Sequence, residues 1–162
     1  MITSIKTSKE IEEIAYLGNI IWHEAYASIL TEDQIEYMVE NFQSVKAIKE
    51  QIAHGYEYFI ISLDGKNVGY CGVEIQSDNK MYLSKMYLLA SAHGKGLFKE
   101  MLNHLISISK DKGVSAIWLT VNRNNARAIA AYNKNGFKTI RTQISDIGNG
   151  FVMDDFVMEL TL

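Results

Sequence analysis

The sequence predicts an α+β fold, a mixed and mostly antiparallel sheet of about seven strands flanked by helices, in the order β-α-α-α-β-β-β-α-β-α-β-β. Three observations predict it. The first third carries helix-start signatures and a helical apolar period. At Tyr56 the pattern changes to β-branched and aromatic runs broken by turn residues, and the last part alternates strands with helices that end at glycine.

Ile2 to Lys6 reads as a short strand, and Thr7 with Glu10 has the spacing of a capping box that opens a helix to about Ser28. Thr31 and Gln34 repeat the signature; Ile35, Met38, Val39 and Phe42 then form one apolar stripe, and Ser44 caps a third, short helix. Tyr56 to Leu63, Val68 to Gln76 and Met81 to Leu89, separated by Asp64-Gly65 and Ser77-Asp78-Asn79, predict an antiparallel meander. Leu97, Met101, Leu102, Leu105 and Ile106 trace a helical face ending near Gly113, and Ala116 to Val121 follows as a strand. Asn125 caps a helix that Gly136 closes, and Phe137 to Ile144 with Phe151 to Leu160 complete the sheet as a hairpin.

The chain has 162 residues, 48% of them apolar, which suits one domain over 1–162. It has no proline and no linker-like or repetitive stretch. With a net charge of -3 and no basic cluster, nucleic acid is a poor partner and a cationic amine a better one. Cys71 is the only cysteine, so an intrachain disulfide and C-x-x-C chemistry are excluded, which points to a reducing, cytoplasmic setting. No signal peptide and no apolar run of about 20 residues is visible, so no membrane association is expected. His23-Glu24 opens like a zinc-protease motif, but Ala27 stands at the second histidine's place; His54 and His104 lack partner spacing, and no metal is expected.

The sharpest local signal runs from Leu88 through Ala90-Ser91-Ala92-His93-Gly94-Lys95-Gly96 into Leu97-Phe98, a strand passing through a glycine-bearing loop into an amphipathic helix. Loop and first-turn amides converge there, the helix dipole adds positive potential, and glycine lets an anion reach the main chain. Lys95 adds charge. A P-loop is excluded because Gly96 follows Lys95 where Ser or Thr is required, and a dinucleotide fingerprint is excluded because Lys99 takes the third glycine's place.

The run His93-Gly94-Lys95-Gly96-Leu97-Phe98 resembles the pyrophosphate loop of GNAT acetyltransferases, written Q/R-x-x-G-x-G/A, with His93 at the Q/R position. Phe98 stands where Gly or Ala is usual, and Ala90 replaces the frequent proline. Downstream, Val121, Asn125, Ala128, Tyr132, Gly136 and Phe137 match that family's V-x(3)-N-x-x-A-x-x-x-Y-x-x-x-G-F pattern in full. The resemblance covers roughly Val68 to Phe137.

It implies acetyl-CoA as cosubstrate and direct transfer to a primary amine in a ternary complex. Backbone groups of Met86 and Leu88 would pair with the pantetheine arm, amides from His93 to Phe98 (Gly94, Lys95, Gly96 and Leu97 among them) would hold the diphosphate, and Asn125 would contact the arm. Tyr132 would sit near the sulfur and protonate the departing thiolate. A phenol with a pKa of about 10 can donate to a thiolate whose conjugate acid lies near about 8.5 without ionising at neutral pH.

The Met86 N–H is the expected oxyanion donor. Glu74, on the strand face of Tyr70 and Gly72, is the expected base, with an ordinary exposed carboxylate as its alternative. Trp22 and Tyr26 share a helical face and are assigned to the acceptor pocket, core packing being the alternative. Of Asp154 and Asp155, one must point outward, and the other is a candidate to meet a cationic substrate. Edge-strand solubility explains both as well.

Trp118 to Leu160 is similar to bacterial spermidine/spermine N-acetyltransferases, which implies a polyamine substrate; Glu24, Glu32, Asp33, Glu36 and Glu40 would suit one. A protein α-amine, a non-catalytic acyl-CoA-binding module and nucleotide binding at the glycine loop stand as alternatives. A homodimer fits the resembled family.

Overall fold

The computed structural model describes residues 1–162. Its elements are β1 (Ile2–Ser4), α1 (Ser8–Tyr26), α2 (Glu32–Phe42), α3 (Val45–Ala53), β2 (Glu57–Leu63), β3 (Lys66–Ile75), β4 (Lys80–Leu88), α4 (Leu97–Asp111), β5 (Ala116–Asn122), α5 (Ala126–Lys134), β6 (Lys138–Gly148) and β7 (Phe151–Thr161). The element order is the one the sequence predicts.

Helix starts fall where short polar side chains can cap them. Thr7 accepts from the Glu10 amide while the Glu10 carboxylate returns to the Thr7 amide, a complete capping box. Thr31, Ser44 and Asn125 cap α2, α3 and α5 in the same three-residue reach. No helix is long and apolar enough to cross a membrane.

The sheet has seven strands in the order β1-β2-β3-β4-β5-β7-β6. The β4–β5 pair is parallel, while β1–β2, β2–β3, β5–β7 and β6–β7 are antiparallel. A parallel neighbour needs a crossover, and α4 supplies it.

Contacts divide the chain into two compact units, Met1–Glu74 with Lys85–Asn103, and Ile75–Ser84 with His104–Leu162. In the first, Ile14, Leu17 and Ile21 of α1 pack with Ile48 of α3 and with Tyr58, Ile60 and Tyr70 of the sheet. In the second, Met81 and Ile117 are fully buried register partners, and the Ser109 hydroxyl of α4 reaches the Met81 sulfur at 3.6 Å. That contact places α4 on the Met81–Ile117 face. Gly136, just beyond α5, lies against Leu160, which pairs with Ile117, so α5 ends on the same face.

The structure departs from the sequence reading at element ends. The first helix stops at Tyr26, a single 3-10 turn forms at Ala90–Ala92, and β6 runs on to Gly148. Beyond Ile144 the strand reads Ser-Asp-Ile-Gly, too short and too mixed to show an apolar alternation, and its register shifts near Asp146.

Candidate active site

In the first unit, β4 delivers the chain to the glycine loop. Gly94 and Gly96 both have left-handed φ, +74° and +78°, a conformation that side chains with a Cβ resist. A Cβ at either position would meet no atom within 4 Å, so the loop's outer side is open. The amides of Gly94, Lys95 and Gly96 find no backbone acceptor, while the Glu100 amide closes the first turn of α4 onto the Gly96 carbonyl oxygen at 3.0 Å. Lys95 is exposed and Leu97 is buried, anchoring the helix start beneath the loop. His93 does not point away as a loose side chain; its Nε2 lies 3.2 Å from the Leu88 carbonyl oxygen, tying the loop to the strand end. Phe98 and Met86 are half-buried.

On α1 of the same unit, Trp22 stacks on Tyr26 at 4.4 Å, and Tyr87 meets Trp22 edge-on at 5.8 Å and Tyr70 at 5.6 Å. Trp22 and Tyr26 are both buried, and the Trp22 indole N–H has no acceptor. An unsatisfied buried N–H is costly enough to call for a partner. Glu74 is half-buried at the end of β3.

Lys85, on β4, is a buried cation that the sequence reading missed. Its ammonium donates to the carbonyl oxygen of Phe42, to Gln51 Oε1 at 2.7 Å and to the Tyr58 hydroxyl at 2.6 Å. All three acceptors are uncharged, and burial pulls its pKa down to about 7.

His23 also finds partners that its own helix does not show. Its Nε2 lies 2.7 Å from Glu36 and 3.4 Å from Glu32, both on α2, while Nδ1 meets the Asn19 carbonyl. These bonds, the Asn19 carbonyl first, raise the imidazole's pKa.

In the second unit, the β4–β5 ladder joins Lys80, Met81 and Tyr82 to Ala116, Ile117 and Trp118. It then stops, although β5 goes on to Asn122 against β7. Main-chain groups of Leu83 and Ser84 therefore lack a β5 partner, an opening in which an extended ligand can pair. Asn125 spends its Oδ1 on the Ala128 amide at 3.3 Å, so it caps α5 through the oxygen and keeps the amide nitrogen for other partners. Tyr132 is buried on α5 with its ring edge-on to Phe137 at 5.2 Å.

Asp154 and Asp155 separate cleanly. One oxygen of each carboxylate is buried without a well-aligned hydrogen-bond donor, but Asp154 has the Arg123 guanidinium at 2.8 Å, whereas Asp155 is 6% exposed and has no ion-pair partner. Edge-strand solubility does not account for this, because β7 runs between β5 and β6 and is not an edge. Burial first, then the neighbouring Asp154, pushes the Asp155 pKa up to about 6.

A sheet strand that ends in a doubly left-handed glycine loop with open amides, feeding an amphipathic helix, defines a class of α+β proteins that anchor phosphate at a strand end. The particular family follows from the whole pattern. The model of the acetyltransferase (GNAT) family matches residues 15–137, and the chain belongs to that family.

An uncharacterized N-acetyltransferase of Mycobacterium tuberculosis is 36% identical over 94 residues, 56% of this chain, and the chain spans 60% of that relative's length. The spermidine N(1)-acetyltransferase of Thermoplasma acidophilum is 28% identical over 151 residues, covering 90% of this chain and 91% of its own. Among solved structures, the PaiA N-acetyltransferase of Thermoplasma acidophilum in complex with coenzyme A superposes with a TM-score of 0.83 at 25% identity, covering 100% of this chain and 99% of that one.

Proposed function

We propose that this protein is an acetyl-CoA-dependent N-acetyltransferase, one transferase domain over 1–162, that acetylates a primary amine of a small molecule, a polyamine being the favoured class. The observation that carries the reading is the pair of left-handed glycines, Gly94 and Gly96, with open space where a Cβ would stand, beyond the end of β4. The coenzyme A complex of the Thermoplasma neighbour and the spermidine activity in that relative's name support the cosubstrate and the acceptor class.

Of the loop amides from His93 to Phe98, that of His93 is held by the Ala90 carbonyl oxygen at 3.2 Å, so in this reading those that follow it hold the diphosphate, with Lys95 adding charge from the surface. Main-chain groups of Met86 and Leu88 pair with the pantetheine arm, the Leu88 carbonyl oxygen sharing its second lone pair beside the His93 contact. Asn125 meets the arm through its amide nitrogen. Tyr132 returns a proton to the CoA thiolate. The Met86 N–H stabilises the tetrahedral oxyanion. Trp22 and Tyr26 back the acceptor pocket, and the unsatisfied Trp22 N–H supports a polar group there. Strand alternation offers Glu74 as a candidate base, with an ordinary strand carboxylate as the alternative.

The test is continuous thiol release from acetyl-CoA across polyamines, aminoglycosides, amino acids and peptides. Turnover with at least one amine is expected, strongest among polyamines. Binding of coenzyme A without release on any amine would make the chain a non-catalytic acyl-CoA-binding module instead.

A further inference from the structure

We propose that Asp155, rather than Glu74, receives the acceptor's ammonium group, pairing with it and taking its first proton. The inference rests on the acetyltransferase reading above and names the chemistry of its acceptor side: a cationic primary amine.

Strand parity places the carboxylate. Leu160 lies 3.2 Å from where a Cβ on Gly136 would stand, so Leu160 faces α5. Asp155 is five positions earlier in an unbroken register and therefore faces the other way. Its β5 partner is Asn122, and the same face carries Thr120 and Trp118 of β5 with Val157 and Glu159 of β7. This is the face away from α4 and α5. Trp118 stacks on Tyr82 there at 4.4 Å and donates its indole N–H to Gln76 at 3.0 Å. The face is thus a polar and aromatic stripe with a largely buried carboxylate at one end.

The charge around Asp155 is uncompensated. Its register partners, Asn122 on β5 and Gln143 on β6, do not titrate. Asp154, on its own strand, is a like charge, and the nearby cation, Arg123, is committed to Asp154 and to the Phe156 ring at 5.2 Å. A buried carboxylate without a cation or donor is a standing cost to the fold, and such costs persist where a ligand supplies the missing partner. An ammonium group brings both the charge and up to three N–H donors.

Its pKa of about 6 leaves the carboxylate ionised at neutral pH yet close enough to serve as a proton acceptor. The ammonium gives one proton to Asp155, and the freed lone pair attacks the acetyl carbon. The C–N bond forms and the C–S bond breaks as the tetrahedral intermediate collapses. The second amine proton ends on the CoA sulfur, and Asp155 returns its proton to water.

The experiment compares wild type, Asp155→Asn and Glu74→Gln for kcat and KM with the best amine, the pH profile of kcat/KM, coenzyme A binding by calorimetry, and thermal unfolding. Wild-type kcat/KM is expected to rise with pH through a limb near pH 6. Asp155→Asn should lower kcat/KM about a hundredfold or more, the scale of general-base loss, and remove the limb. Its coenzyme A affinity should stay within about twofold of wild type, and its Tm should be equal or higher because a buried charge is gone. Glu74→Gln should lower kcat/KM by less than Asp155→Asn does and should keep the limb near pH 6, whereas a loss at Glu74 as large as that at Asp155, with the limb removed, would overturn the proposal. The proposal is overturned if Asp155→Asn keeps both the activity and the limb, or if it loses activity only together with Tm and coenzyme A binding. A wild type that binds coenzyme A and acetylates no amine would overturn the transferase reading itself, a result distinguishable from either.

Discussion

The His93 imidazole lies 3.2 Å from the Leu88 carbonyl oxygen, tying the first residue of the glycine loop back to the strand that delivers it. The contact spans five residues and closes the loop on itself before Gly94 and Gly96 turn it. One hydrogen bond of this kind contributes about 0.5–1.5 kcal/mol. His93→Ala should therefore weaken coenzyme A binding by about threefold to tenfold without unfolding the protein, and calorimetry would read it. Unchanged affinity would mean that the tie does not preorganise the loop.

Tyr132 offers a separable test because its ring and its hydroxyl do different things. The ring packs edge-on against Phe137, and Tyr132→Phe keeps that contact. Turnover should fall by at least about tenfold, within the range of general-acid contributions, with coenzyme A affinity within about twofold. Equal turnover in the variant would remove the hydroxyl from the mechanism.

Lys85 predicts a pH dependence of stability. Burial lowers its pKa to about 7 in the folded chain from the ordinary lysine value of 10.5. Between those values the unfolded chain binds more protons, so this group's contribution to stability is full above the unfolded value and is lost as pH falls towards about 7. Lys85→Met abolishes the titration. Urea unfolding should favour the variant relative to wild type more at pH 6 than at pH 9, values chosen to bracket the shift roughly. An identical difference at both pH values would show that Lys85 is not buried as a strained cation.

The parts of this fold that were legible in the sequence are those decided within a few residues. Thr7 with Glu10, Thr31 with Gln34 and Asn125 with Ala128 are side chain to backbone bonds of three-residue reach, so the helix starts could be read directly. Gly136, read as the residue that closes α5, has a positive φ of +93°. What was not legible depends on register or on a second element. Which of Asp154 and Asp155 faces inward is fixed by the pairing of Asp155 with Asn122, and neighbouring residues carry no trace of it. The partners of His23 come from α2 across a turn, where a motif sought along one helix could not find them. Lys85 did leave a signal, since it continues the buried alternation of Met81 and Leu83, but a lysine at such a position reads as an exposed residue until its acceptors are known.

The grip of the glycine loop on a diphosphate is the claim on which the rest depends, and calorimetry with coenzyme A tests it most directly. Wild type should give a one-to-one binding heat. Gly96→Val, which adds both a left-handed strain and a side chain in the open space, should lose it by more than about tenfold. Gly55→Ala, equally left-handed at φ +101° and equally open but before β2, should share the backbone cost and keep the heat. Absence of heat with wild type, or undiminished heat in Gly96→Val, would contradict the account.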